Sequence, residues 1–312
     1  MKLSSLLVYK AVLEEMMPLD TAPLAHGTLA PAVHIVKTND LQFSNLTERL
    51  EQQYRIIVDQ LCAFDQTLEE VVAEIDSMIQ QYEPDYYAKS TELYQQMCSY
   101  DTVDSLLDRR LKPTETVTQF LTARIQAHGD WHHAGLIVRP GREEWINLLV
   151  GCDPLYLVDT DIKLLDPAVL RFNDQYQRRL RTYAVKESVD EPMLNALPDG
   201  QFGFCLIYYF FNFKPIEIVR AYLHELYGKL KPGGTLGFTF NDSDRAGGVD
   251  LAERGFMCYT PRRAVVAAAE AMGFEIQQSY RIDAACTWLE FRKPGQLTSM
   301  KGGQTLATLT VK

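Results

Sequence analysis

The chain has 312 residues, 46% hydrophobic and 23% charged, which suits about two domains with sizeable cores and excludes a disordered chain, a collagen-like repeat and a small disulfide scaffold. Its formal charge is −10, so a broad electrostatic grip on nucleic acid is not expected. The excess acid is local, because residues 40–110 hold 15 acidic and 5 basic side chains while the segments on either side are balanced. Six cysteines, Cys62, Cys98, Cys152, Cys205, Cys258 and Cys286, lie far apart with no C-x-x-C pair. In a chain this large they read as reduced thiols in a reducing compartment. Lys10, Glu14 and Glu15 interrupt the opening apolar run, so no signal peptide is expected. No run reaches membrane-spanning length, and the expected protein is soluble and cytoplasmic.

Residues 2–17 predict a short amphipathic helix, and Pro18, Pro23, Gly27 and Pro31 predict an extended connector to about Asp40. Next come Leu50, Tyr54, Ile57, Leu61, Phe64, Leu68, Val71, Ile75, Met78 and Tyr82, spaced alternately by four and three. That is a heptad seam, and it predicts one helix over residues 45–82 with Asn45 as N-cap and Pro84 as its stop. Such a seam needs a partner helix. The partner is either the same helix of another subunit or the 86–111 region folded back. The acidic exposed face would repel a parallel copy.

Lys112-Pro113-Thr114 marks the expected boundary between an arm (residues 1–112) and an α/β domain (113–294), with 295–312 as a tail. Helices are predicted at 116–127, 142–150, 167–180, 215–230 and 262–272. Strands are predicted at 134–138, 155–158, 182–185, 202–211, 235–240, 274–281 and 287–291. Such alternation predicts a mostly parallel sheet with helices on both faces. Residues 304–312 read as a strand able to add to a neighbouring chain.

The sequence Leu230-Lys231-Pro232-Gly233-Gly234 between a helix and a strand resembles the entry to the fifth strand of the class I S-adenosylmethionine-dependent methyltransferases. The proline ends the helix, and the glycines permit the reversal into the strand. Leu197-Pro198-Asp199-Gly200-Gln201-Phe202 resembles the family's fourth-strand entry. Thr260-Pro261 and, after a helix, Gly273-Phe274 resemble its C-terminal hairpin. Together these cover residues 134–293. The resemblance implies a methyltransferase-like, Rossmann-like fold with S-adenosylmethionine as cofactor.

In that family a glycine-rich loop follows the first strand, and an acidic residue ending the second accepts hydrogen bonds from ribose hydroxyls. The matching stretch here is Gly135 to Val138, then Arg139-Pro140-Gly141, with Asp159 ending the second strand. The paired G-x-G is absent, so the loop is degenerate. Asp161 competes with Asp159 for the ribose role. Glu187 and Asp190 follow the third strand, where the family contacts adenine. The implied cofactor-binding residues are therefore Gly135, Arg139, Gly141, Asp159, Glu187 and Asp190, with no metal and no assigned catalytic residue. Phe210-Phe211-Asn212-Phe213-Lys214-Pro215 is not an amino-methyltransferase motif, and DNA base methylation is not expected. Asn212 is a candidate to face the site, while His132, His133 and His224 read as structural or surface residues.

Two functions of different class follow. One is a methyltransferase acting on a small molecule or a protein, carried on a helical oligomerisation arm. The other is a structural component of a large assembly, such as a virion, that keeps the fold as a scaffold.

Overall fold

The computed structural model describes residues 2–17, 44–97, 114–140, 143–160, 162–170 and 172–297. Gly141, Asp161, Cys98, the 18–43 connector, the 98–113 stretch and the 304–312 strand lie outside these. The chain forms two compact units, Met1–Pro84 and Asp85–Lys312, so the division falls upstream of Lys112.

In the first unit, α1 (Leu3–Met16) and α2 (Ser44–Met97) supply the core. Leu3 and Leu6 of α1 and Leu68, Ile75 and Ile79 of α2 are buried. Lys10 pairs with Asp76. The expected stop at Pro84 is not found, because α2 continues through it to Met97. Proline removes one backbone donor and strains a helix. The turns beyond it are held by side chains: Tyr86 Oη donates to Glu253 at 2.8 Å, Ser90 Oγ accepts from the Tyr259 amide at 2.7 Å, and Tyr94 Oη donates to Glu187 at 2.7 Å. These anchors belong to the second unit, which is why the compact division falls inside the helix.

Within the second unit, α3 is Glu115–Ala127, β1 Ala134–Val138, α4 Glu143–Leu148, β2 Leu155–Asp159, α5 Ile162–Val169 and α6 Asp174–Gln177. Then come β3 Leu180–Ala184, β4 Phe202–Ile207, α7 Ile216–Lys229, β5 Leu230–Asn241, α8 Ala246–Glu253, α9 Arg262–Ala271, β6 Glu275–Arg281 and β7 Cys286–Arg292. Among the described residues the strands form one sheet in the order β3-β2-β1-β4-β5-β7-β6. All neighbours are parallel except β7, which is antiparallel to β5 and to β6. The four segments expected to share a mostly parallel sheet do share it.

Helices cover both faces, and the alternation of side chains along each strand sorts the core into two layers. Leu136, Val138, Cys205, Ile207, Leu236 and Phe238 lie in one layer with Val219, Leu223 and Leu226 of α7 and Val265 of α9. Ile137, Leu155, Leu157, Phe204, Leu206 and Trp288 lie in the other with Val117, Leu121 and Ile125 of α3.

Three local expectations are corrected. The helix expected over 167–180 is broken, since Pro167 falls inside α5 and Asn173 caps a new turn by accepting from the Tyr176 amide. The strand expected to reach Phe211 ends at Ile207, because the Tyr209 amide turns away to Thr239 Oγ1 at 2.6 Å. β5 begins at Leu230, so the Pro232-Gly233-Gly234 turn is part of the strand and shifts its register on β4.

Candidate functional site

In open α/β sheets, ligands lie outside the carboxyl ends of the strands, where the strand order reverses. Here that point is between β1 and β4. Val138 pairs with Val158 on one side and with Ile207 on the other. One residue further, Arg139 and Asp159 are next in register, and the Arg139 amide donates to Val158 O at 2.6 Å. Arg139 has φ 53° and Tyr209, two residues past β4, has φ 48°. They are the non-glycine residues with positive φ among those described, and side-chain-bearing residues rarely adopt that backbone. Backbone of this kind concentrates where a chain must shape a site. Arg139 therefore follows the path a glycine usually takes, while keeping a long cationic side chain.

Asp159 ends β2 and is only 3% exposed. Its Oδ1 accepts from the Thr160 amide at 2.7 Å and from Thr160 Oγ1 at 3.3 Å. The Arg139 guanidinium lies 6.0 Å from the centroid of the Phe210 ring, and Lys214 Nζ lies 4.4 Å from the same ring, both within cation–π range. Pro140 is buried. Trp145 of α4 packs on Tyr208 with centroids 4.2 Å apart.

The structure separates the other expected site residues. Gly135 stands at the amino end of β1, away from the crevice. A Cβ there would fall 2.9 Å from both Cys152 Cβ and Leu155 Cδ1, so its bareness serves strand packing. Glu187 is not an open acceptor: its Oε2 accepts from Lys214 Nζ at 2.5 Å and Tyr94 Oη at 2.7 Å, and its Oε1 from Tyr222 Oη at 3.3 Å. Asp190 is exposed, and its amide donates to Ser188 Oγ. Asn212 is fully buried, accepting from Thr239 Oγ1 at 3.2 Å and donating to Cys286 Sγ at 3.4 Å. It holds the β4 exit against β5 and β7. His133 is buried with Nδ1 3.1 Å from Lys231 Nζ, and His224 is exposed.

At the end of β5, Asp242 is 3% exposed and its Oδ2 accepts from Thr287 Oγ1 at 2.7 Å. Burial pushes its carboxyl above the usual carboxylate range. Burial also pushes the Cys286 thiol up to about 12 and the Tyr209 hydroxyl well above its ordinary value. Neither is an ionised nucleophile near neutral pH. Among the described residues no group of three His, Cys, Asp or Glu is placed to hold a metal ion. Tyr209, Lys214 and Tyr94 had no motif to announce them. Lys214 lies inside a stretch noted only for what it did not match.

No protein-family model matches the sequence, and no curated protein matches it. Solved structures similar to it include an S-adenosylmethionine-dependent methyltransferase from Aquifex aeolicus, 14% identical over 62% of this chain and 99% of that one, with a TM-score of 0.44. The N-methyltransferase NodS from Bradyrhizobium japonicum WM9, crystallised with S-adenosyl-L-homocysteine, is 15% identical over 66% of this chain and 99% of that one, with a TM-score of 0.46. A possible exported protein from Bordetella parapertussis is 14% identical over 59% of this chain and 69% of that one, with a TM-score of 0.45. The class of fold rests on the strand order. It is methyltransferase-like. No helix among the described residues is long and apolar enough to cross a membrane.

Proposed function

We propose that the chain binds S-adenosylmethionine at the carboxyl edge of β1 and β2 and is a methyltransferase-like protein acting on a small molecule or a protein. The observation that carries this is the buried Asp159 carboxylate, held in register beside a left-handed turn at Arg139. The two features fit the group: the carboxylate matches ribose hydroxyls, and the glycine-like turn gives a backbone path on which the cofactor can lie. When bound, that group supplies an electrophilic methyl on sulfur. Asp159 would orient the ribose, its own geometry fixed by Thr160. Arg139, leaning toward Phe210, would flank the adenosine. Glu187 positions Lys214 and the end of α2 instead of touching adenine. Transfer to an oriented acceptor draws much of its rate from positioning, so an ionised base is not required. The first unit, in this reading, is an assembly element.

A second reading, a scaffold within a larger assembly, is favoured by the Arg139 side chain and the buried Pro140, which take up room beside the turn. Calorimetric titration of the full chain with S-adenosyl-L-homocysteine separates the two. Binding is expected, and Asp159→Ala is expected to weaken it by about 1.5–3 kcal/mol, the worth of a charged hydrogen bond. No heat at millimolar concentration, with the chain folded by circular dichroism, would leave the scaffold reading in place.

A further inference from the structure

Among the described residues the heptad seam of α2 is only half covered. Leu68 and Ile75 of the seam, with Ile79 beside it, are buried, on the flank that carries the Lys10–Asp76 pair to α1. On the other flank Ile57 is 48% exposed, Phe64 46% and Val71 38%, seven residues apart on one line. Residues seven apart recur on one side of a helix, so the neighbouring lines are Gln53, Gln60, Thr67 and Glu74, and then Arg49, Ile56, Ala63 and Glu70. Ile56 is itself 40% exposed. The three adjacent lines thus form a strip that sets two apolar rows, Ile57, Phe64 and Val71 on one side and Ile56 and Ala63 on the other, about an uncharged polar row of Gln53, Gln60 and Thr67, with Arg49 near one end and Glu70 and Glu74 near the other.

We propose that this strip pairs with the same strip of a second copy, antiparallel, about a two-fold axis at Gln60. Charge chooses the direction. In a parallel pair each Glu70 and Glu74 meets its own copy, and so does each Arg49. In the antiparallel pair Arg49 meets Glu70 of the other copy at both ends. The same axis sets Gln53 against Thr67, Gln60 against itself, and Ile56 and Ile57 against Phe64 and Ala63. In these central layers an apolar residue meets an apolar one and a neutral polar residue another, while Val71 falls beside Arg49. A self-complementary strip of this kind is what a two-fold interface requires.

The test uses the full chain. Light scattering is expected to give twice the 35.6 kDa chain mass at micromolar concentration. Ile57→Glu with Phe64→Glu is expected to raise the dissociation constant by more than about 100-fold, because each would bury an unpaired charge. Leu68, Ile75 and Ile79 are untouched, so helicity should be retained. Arg49→Glu or Glu70→Arg alone should weaken association by about threefold to tenfold, and the two together should restore it. In a Cys62→Ser, Cys98→Ser background, Gln60→Cys should cross-link to itself and Gln53→Cys to Thr67→Cys. A monomer at every concentration, as expected if residues 18–43 covered the strip, overturns the proposal. Cross-linking of Gln53→Cys to itself overturns it too, by showing a parallel pair.

Discussion

Arg124→Ala is expected to destabilise the α/β unit by about 3–5 kcal/mol, because it strands a buried carboxylate. Glu290, in the middle of β7, has a side chain only 1% exposed, and Arg124 of α3 reaches it with both Nε and Nη2. Trp288 Nε1 donates to Glu290 Oε1 at 2.9 Å, and the His128 ring, 3.8 Å away, stacks flat on Phe204. Burial works to raise the Glu290 carboxyl, but the hydrogen bonds from Arg124, then the neighbouring His128 ring and the Arg124 charge, win and hold it at about 2. The unfolded value is about 4.3. The folded form therefore binds the proton less readily than the unfolded chain. This contribution, on the order of 3 kcal/mol, is complete above about pH 5 and lost as the pH falls toward 2. Urea denaturation between pH 3 and 7 measures both effects. The wild type should lose stability on acidification, and Arg124→Ala should start low and lose less. Equal midpoints at neutral pH would show that the pair is not what clamps α3 to the sheet. Arg124→Met with Glu290→Met should recover most of the loss, since a well-packed apolar pair replaces a buried ion pair at little cost.

Much of this architecture was legible because the sheet is written in short apolar runs and in turns with one physical solution. Pro232-Gly233-Gly234 is the clearest case: Gly233 has φ 80°, and a Cβ there would meet the backbone amide of Leu297 at 2.5 Å. Only glycine suits that position. The long helix was legible from its seam, but its end was not. Pro84 is a local stop signal, whereas the contacts that carry α2 past it join Tyr86, Ser90 and Tyr94 to residues more than 90 positions away in sequence. Local propensity yields to such tertiary contacts.

The position of Asp159 at the end of β2 was legible, because a carboxylate ending a buried strand is a pattern that sequence order preserves. The left-handed backbone at Arg139 was not legible. Nothing in an arginine announces positive φ, and the absence of the glycine pair pointed only to lost room. Gly135 misled for the opposite reason: a bare residue beside the expected loop serves Cys152 and Leu155 instead. Glu187 shows a third limit. Sequence placed it after β3 correctly, but the three groups that engage it come from α2, α7 and the segment after β4.

The role of Glu187 can be decided by stability and binding measured together. Its side chain is 6% exposed and that of Lys214 8%, with Nζ and Oε2 2.5 Å apart. Lys214 also lies over the rings of Phe210 and Tyr94, at 4.4 and 4.8 Å. Glu187→Gln keeps the shape but leaves a buried ammonium without its counter-charge, and is expected to cost about 3–5 kcal/mol. Lys214→Met leaves the carboxylate with the Tyr94 and Tyr222 hydroxyls alone and should cost a similar amount. Burial, helped by the Glu187 charge, raises the Tyr222 hydroxyl well above its ordinary value, so Tyr222 remains a donor to whatever stands there. Glu187→Gln with Lys214→Met should restore most of the stability, because neither charge is then stranded and the amide oxygen still accepts from the tyrosine hydroxyls. If Glu187 positions the end of α2, this double variant should melt near the wild type and still bind S-adenosyl-L-homocysteine within about tenfold, a difference of 1.4 kcal/mol. If instead Glu187 touches adenine, Glu187→Gln would leave the urea midpoint unchanged while abolishing the binding heat. That outcome would require the Lys214 contact to be exchanged for the nucleoside on binding, and would return Glu187 to the list of cofactor ligands.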